Sequence, residues 1–154
     1  MTEAIPSTAQ AQALADAAAD AMWSRDAVAH AMAMERIEVA PGQATLRMRV
    51  RPDMVNGHHI CHGGLIFTLA DTAFAYACNS YNLNTVASAC HIDFLAPARE
   101  GDLLEAVAVE RSAAGRSGVY DVTVSAVGGK TIALFRGKSA RIKGEVTASF
   151  APQA

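Results

Sequence analysis

The spacing of apolar positions changes along the chain, and each change marks an element. Residues 7–23 are rich in Ala, Leu and Gln, which are strong helix formers, and Ser7 or Thr8 can cap them, so a helix is predicted. Residues 28–39 are ambiguous, with Met32 and Met34 at strand spacing. In QATLRMRV, Ala44, Leu46, Met48 and Val50 alternate with Thr45, Arg47 and Arg49, as in a half-buried strand. Pro52 and Gly57 then mark a connection. From Gly63 to Tyr81 the chain is apolar on nearly every side, a helix broken by a single acid, Asp71. Extended segments follow at roughly 84–96, 102–112, 118–127 and 130–142. In GVYDVTVSAV, Tyr120, Val122, Val124 and Ala126 face one way, and Val119, Asp121, Thr123 and Ser125 the other. Gly128-Gly129 predicts a two-residue hairpin before KTIALFRGKSARI. From Glu145 no pattern is evident, and a loose tail is expected.

The order is therefore helix, about two strands, one long apolar helix, then about four strands. A helix that is apolar nearly all round must be covered on most faces, and one curved antiparallel sheet wrapped around it would do so. The expectation is a single α+β domain spanning 1–154, with a long central helix and an extra helix at the N-terminus. Such a sheet keeps a free edge and leaves helix surface uncovered, both of which a homodimer can bury.

Composition adds exclusions. The chain has 154 residues, 13 basic and 15 acidic, and 51% hydrophobic content, which suits one domain with a real core. That balance carries no electrostatic footprint for nucleic acid or an acidic membrane. Cys61, Cys78 and Cys90 fit neither a CxxC metal pair nor an even-numbered disulfide framework, so a reducing compartment, the cytoplasm, is expected. The N-terminus has an acid where a secretory leader carries positive charge. The apolar run from Gly63 is about membrane-span length, but Asp71 and the polar CNSYN end favour a buried core helix.

Candidate chemistry concentrates in NGHHICHGGLIFTLADTAFAYACNS, residues 56–80. His58 and His59 read as loop residues, and HHICH resembles a zinc motif whose acid position is filled by His59, so no metal site is expected. Cys61 and Cys78 read as small buried hydrophobes, and Phe67, Phe74 and Tyr76 as core aromatics. Asp71 resists such a reading. It is the only charged side chain between Asp53 and Asp93, and a carboxylate held from water costs several kcal/mol unless paired. Gly63 and Gly64 open the helix, where glycines let a ligand approach and free N–H groups with the helix dipole behind them favour negative charge. Eight residues separate Gly63 from Asp71, about 12 Å along one helix, so both cannot touch one carbonyl group. Two antiparallel copies in a twofold dimer could bring Gly63 of one beside Asp71 of the other.

At these residues the chain resembles the hotdog-fold, phenylacetate-degradation (PaaI-type) acyl-CoA thioesterases. HGGLIFTLADTAFAYACNS matches their signature, ASACHIDFLAPAREGD and GVYDVTVSAVGGKTIALFRGKSARI continue it, and the likeness covers roughly residues 20–143. It implies the wrapped-helix architecture, dimers that pair into tetramers, and hydrolysis of acyl-CoA thioesters without a cofactor beyond the substrate's own CoA. By motif position, Gly63 resembles the residue whose N–H polarises the thioester carbonyl, and Asp71 the acid that activates water or attacks directly. Asn56 resembles the amide that positions water or acid, and His62 the histidine supporting the carbonyl site. One branch of the family has a serine where this chain has Ala87, with Ser88 alongside. Arg136, Lys138 and Arg141 offer cations for the CoA phosphates, or form a solvated strand face. The family's preference runs toward ring-hydroxylated phenylacetyl-CoA, whereas the residues themselves support only an apolar acyl pocket. Two other readings are an acyl-CoA dehydratase or hydratase, which needs His62 or His91 near Asp71, and a non-catalytic acyl-CoA sensor.

Overall fold

Ser7 starts the first helix through a reciprocal cap: its hydroxyl accepts from the Gln10 N–H, and its own N–H donates to the Gln10 side chain at 2.8 Å. In the computed structural model, which describes residues 6–149, this helix is α1, Thr8–Trp23. Residues 1–5, where no secretory leader was expected, and 150–154 lie outside the described residues. The ambiguous stretch divides in two. Asp26 caps a short helix α2, Ala27–Ala31, by accepting from the Ala29 N–H at 3.0 Å, and β1, Glu35–Ala40, follows. Met34 is buried ahead of that strand rather than within it.

β2 is Gln43–Arg49, with Ala44, Leu46 and Met48 buried as the alternation predicts. A single 3-10 turn at Pro52–Met54 leads toward α3, Gly63–Asn79. Four strands complete the sheet: β3 Leu83–Phe94, β4 Leu103–Ala114, β5 Ser117–Ala126 and β6 Thr131–Glu145. The strand order is β1-β2-β4-β5-β6-β3, and every pairing is antiparallel. The α+β architecture therefore stands as expected: α3 packs against all six strands, and Ile66, Leu69, Ala70, Ala73, Phe74, Tyr76 and Ala77 are buried along it.

The aromatics of α3 fix how the sheet wraps. Phe74 meets Tyr120 edge-on at 5.5 Å, and Phe67 meets Phe135 edge-on at 5.4 Å. Phe74 reaches the sheet because β6 carries Gly137 there: a Cβ at that position would lie 2.8 Å from the ring. The Tyr76 hydroxyl donates to Asp26 at 3.1 Å and so ties α3 to the cap of α2.

Two local expectations are corrected. The β5–β6 hairpin has three loop residues, Val127 to Gly129, closed by the Ala126 N–H donating to the Lys130 carbonyl at 3.0 Å. A bulge between Val124 and Ser125 shifts the register, and Gly128 takes the positive φ of 73° that the turn needs. The tail expected to be loose from Glu145 is structured as far as Ser149, in a turn α4, Val146–Ser149. Asn82 accepts the Val146 N–H on its carbonyl at 3.1 Å and the Thr147 N–H on its side chain at 2.9 Å, while Val146 is fully buried. One apolar residue anchored on a partner 64 positions away leaves no periodic trace in sequence.

The two sheet edges differ. α1 covers β1, with Gln12 donating to the Val39 carbonyl at 2.7 Å and Asp20 paired with Arg36. β3 is uncovered, and its residues 86–91 are all exposed. Antiparallel register places Cys90, Ile92 and Phe94 opposite Gly137, Phe135 and Ala133, so these three face α3, while His91 and Asp93 face outward.

Because the Phe74 ring is 1% exposed and cannot retreat, Gly137→Ala should destabilise the fold by about 1–3 kcal/mol through overpacking. Urea midpoints should show the loss, and Phe74→Leu in the Gly137→Ala background should recover part of it.

Candidate active site

The segment before α3 is folded by Asn56. Its Oδ1 accepts the His58 N–H at 2.9 Å and the Ile60 N–H at 3.4 Å, its own N–H donates to the Ile60 carbonyl, and Val55 bridges Cys61. This closes a small turn in which His59 takes a positive φ of 59°, and His58 and His59 are exposed loop residues, as expected. The Asn56 Nδ2 donates to no described residue, so the amide keeps a donor free beside the helix start.

His62 is the N-cap of α3. Its Nδ1 accepts the Gly64 N–H at 3.0 Å, which makes Nδ1 the unprotonated nitrogen and leaves Nε2 to carry the ring proton of the neutral form. The Leu65 and Ile66 N–H groups both donate to the His62 carbonyl. Of the first-turn amides, only that of Gly63 has no acceptor among the described residues. Gly64, expected to contact substrate, has its N–H committed to His62. The missing side chain of Gly63 has a local reason as well, since a Cβ there would come within 3.0 Å of the Phe94 ring.

Asp71 lies two turns further along α3, on a different part of the surface. It forms no hydrogen bond or ion pair with any described residue, and burial raises its pKa above the ordinary carboxylate range. It opens on a cavity of about 450 Å³ whose walls include Phe74, Cys78, Val86 and Ala87. Burial also pushes the Cys78 thiol up to about 12, with the nearby Asp71 charge adding to the effect, and the Cys61 thiol up to about 11. Neither is a thiolate at neutral pH, in keeping with their reading as small buried hydrophobes.

One chain thus brings Asn56, His62, Gly63 and Gly64 together at the helix start and holds Asp71 apart from them. Within one chain neither histidine named for a dehydratase stands beside Asp71: the His91 ring pairs with Asp93 at 3.1 Å on the outer face of the sheet, and His62 caps the helix start. Ala87 lines the Asp71 cavity, whereas the Ser88 hydroxyl donates to the Lys138 carbonyl at 3.0 Å, so β3 supplies no free hydroxyl in the serine's place. The three cations do not share a face. Arg136 and Lys138 point outward from β6, and Arg141 lies on the opposite side by strand alternation. Arg136 is held by both oxygens of Asp121, at 2.6 and 2.9 Å, an arrangement that also lowers the Asp121 pKa; Lys138 has no partner among the described residues. Sequence reasoning missed Met22, Asn84, Ile142 and Ser149, which complete the cavity from α1, β3, β6 and α4. Nothing in their local patterns marks them.

Comparison with known proteins shows the family and the fold. The model of the Thioesterase superfamily matches residues 58–133. The acyl-coenzyme A thioesterase PaaI of Escherichia coli (strain K12) is 52% identical over 129 residues, which cover 84% of this chain and 92% of the relative. The structure of the Escherichia coli PaaI protein from the phenylacetic acid degradation operon superposes with a TM-score of 0.85 at 50% identity, over 87% of this chain and 97% of that one. A mutant of the phenylacetic acid degradation protein PaaI from Thermus thermophilus gives a TM-score of 0.72 at 36% identity, over 75% and 98% of the two chains.

A carboxylate whose pKa is raised by burial opposes folding once ionised. The folded protein keeps the Asp71 proton over a pH window in which the unfolded chain has released it, so stability falls as pH rises through that window. Asp71→Asn should therefore be more stable than wild type at neutral pH, with the difference shrinking as pH falls below the raised pKa. The same variant should lose at least about 10²-fold in kcat. Thermal melts across pH and steady-state turnover check the two halves.

Proposed function

We propose, for a chain that belongs to the thioesterase superfamily and is similar to PaaI over most of its length, that it hydrolyses acyl-CoA thioesters to a free acid and CoA. The observation that carries this reading is Asp71, an unpartnered carboxylate with a raised pKa on the wall of a largely apolar cavity. A base of raised pKa is suited to taking a proton from water at neutral pH.

The chemistry needs a second copy. The free Gly63 N–H, at the positive end of the α3 dipole, polarises the thioester carbonyl and holds the oxyanion that forms there. Asp71 of the other copy takes a proton from water as the water oxygen bonds to the carbonyl carbon, or attacks that carbon itself to give, as the thiol leaves, a mixed anhydride that water then hydrolyses to the free acid and the Asp71 carboxylate. The C–S bond then breaks and the CoA sulfur leaves, taking up a proton. The free Nδ2 of Asn56 positions the water or the acid, and His62 holds the Gly63 turn in place. The exposed β3 edge and the α3 flank beside Cys90, Ile92 and Phe94 are the surfaces on which the two copies meet, and such dimers pair further into tetramers. Lys138, Arg136 and Arg141 are the candidate contacts for the CoA phosphates. The acyl group is of the phenylacetyl type, since the cavity has room for a ring and apolar walls to hold it.

The reaction as written uses no metal or cofactor, and no group of three His, Cys, Asp or Glu among the described residues is placed to hold a metal ion. With three free cysteines and no helix among the described residues long and apolar enough to cross a membrane, the cytoplasm is the proposed setting. A thiol-release assay over aliphatic and aromatic CoA thioesters tests the reading. Phenylacetyl-CoA esters should be turned over fastest, with activity retained after exhaustive chelation. Absence of thiol release across the panel, or loss with EDTA that zinc restores, would count against it.

Sharing of the site between copies has its own test. Gly63→Pro removes the proposed N–H, and His62 already has the extended backbone, φ −60° and ψ 130°, that a following proline requires. A Cβ at position 63 would come 3.0 Å from the outer edge of the Phe94 ring, so size-exclusion and circular dichroism controls must show that Gly63→Pro folds and dimerises. Co-expressed with Asp71→Ala, it should recover roughly a quarter of wild-type activity, because random pairing makes half the dimers mixed and each mixed dimer has one intact site. A mixture as inactive as either variant alone, with both folded and dimeric, places both groups in one chain.

A further inference from the structure

We propose that Phe94 belongs to the active site: the copy that supplies the Gly63 amide also supplies this ring, which closes the other copy's Asp71 cavity beside the thioester and keeps bulk water from the amide. The inference rests on the thioesterase reading and the shared site above, and it adds a substrate-contacting residue to that site. Phe94 stands apart from the other described phenylalanines. Phe67, Phe74 and Phe135 each meet another ring, whereas Phe94 meets none among the described residues. Its side chain lies on the α3 side of the sheet, opposite the buried Ala133, yet it is 53% exposed. An inward-facing aromatic half in water is an apolar surface that the single chain leaves uncovered.

The ring lies at the free amide of the helix start. A Cβ on Gly63 would come 3.0, 3.4 and 3.5 Å from Cζ and the two Cε atoms, so the tip of the ring rests on the Gly63 backbone. The backbone that follows Phe94 is fixed. The Leu95 and Ala96 N–H groups donate to the Ile132 carbonyl at 2.8 and 3.2 Å, and the Cys61 N–H donates to the Ala98 carbonyl at 2.8 Å, which ties the end of β3 to the segment before α3. An N–H···O⁻ contact beside an apolar ring is less screened than one in open water, so this placement favours stabilisation of the oxyanion.

The register of the free edge carries the ring to the other copy's cavity. A bulge between Ala87 and Ala89 shifts β3 by one residue, so Thr85 and Ala87 face α3 before it, and Cys90, Ile92 and Phe94 after it. Two copies paired antiparallel about the centre of the exposed stretch 86–91 set Cys90, Ile92 and Phe94 of one opposite Ala87, Thr85 and Leu83 of the other, inner face against inner face. A slip of one residue would set inner side chains against outer ones. Thr85 and Ala87 line the Asp71 cavity, and a residue diagonal to Thr85 across such a pair is within reach of an aromatic side chain. Phe94 therefore spans from its own Gly63 to the Asp71 cavity of the other copy, which the helix length alone had only allowed.

The experiment adds Phe94→Ala to one chain at a time in the co-expressed pair of Asp71→Ala and Gly63→Pro. The surviving site of the mixed dimer joins Gly63 of the Asp71→Ala chain to Asp71 of the Gly63→Pro chain. Phe94→Ala on the Asp71→Ala chain should lower thiol release by at least about tenfold, whereas on the Gly63→Pro chain, whose amide is already lost, it should change it by less than about twofold. Equal losses in the two placements make the ring an interface contact only and overturn the proposal, as does no loss in either. Should Gly63→Pro fail to assemble, homodimeric Phe94→Ala decides: kcat/KM should fall at least about tenfold while the dimer and its thermal midpoint are kept, and Phe94→Leu should recover part of the loss. An unchanged kcat/KM, or a loss that only follows loss of the dimer, overturns the proposal. In each case wild-type turnover leaves the thioesterase reading standing, and a wild type that releases no thiol from any CoA ester overturns both.

Discussion

The covering of α3 governs the rest of the molecule. A helix apolar on nearly every side gains about 1.5–3 kcal/mol for each large side chain taken from water, and one curved sheet can reach most of its circumference. Curvature demands close approach, and Gly137 permits it by letting the Phe74 ring sit directly on the β6 backbone. The sheet nevertheless stops at β3, so one flank of the helix remains open. Asp71 lies on that flank, and so does the cavity.

That placement explains how a lone carboxylate is tolerated in such a helix. Asp71 is neither fully enclosed, where ionisation would be prohibitive, nor fully wet, where its pKa would be ordinary. The resulting tension between stability and reactivity is a feature of functional sites, where local rules are broken. The helix start has the opposite character. His62 takes up the amides of the first turn after Gly63, and the Asn56 turn and the Val55–Cys61 bridge brace the segment before it, so among the described residues the Gly63 N–H is the first-turn amide left without an acceptor, on a braced frame.

The outer face of the sheet follows a different logic. Arg136, Asp121 and Arg111 form a ladder of ion pairs, with Arg111 donating to Asp121 at 3.0 Å, on a surface where such pairs contribute little stability. Arg136 would have to share its guanidinium with Asp121 to hold a phosphate, whereas the Lys138 side chain on the same face has no partner among the described residues.

The chain's periodicities by themselves determined the element order, the wrapped central helix and the free edge, because burial on one face repeats every 2 or 3.6 residues and is written locally. Asp71 and Gly63 stood out for the same reason, since a charge in an apolar run and glycines at a helix start are local anomalies, whereas His62 was marked only by its place in the family motif. What the tertiary structure alone decided are relations between distant residues. It turned the patternless end of the chain into α4, seated on Asn82 and Asn84. It also closed the cavity with Met22, Ile142 and Ser149. Each of these depends on which carbonyl, amide or side chain arrives from another part of the fold, and a hydrogen bond across 65 residues has no period for a sequence to show.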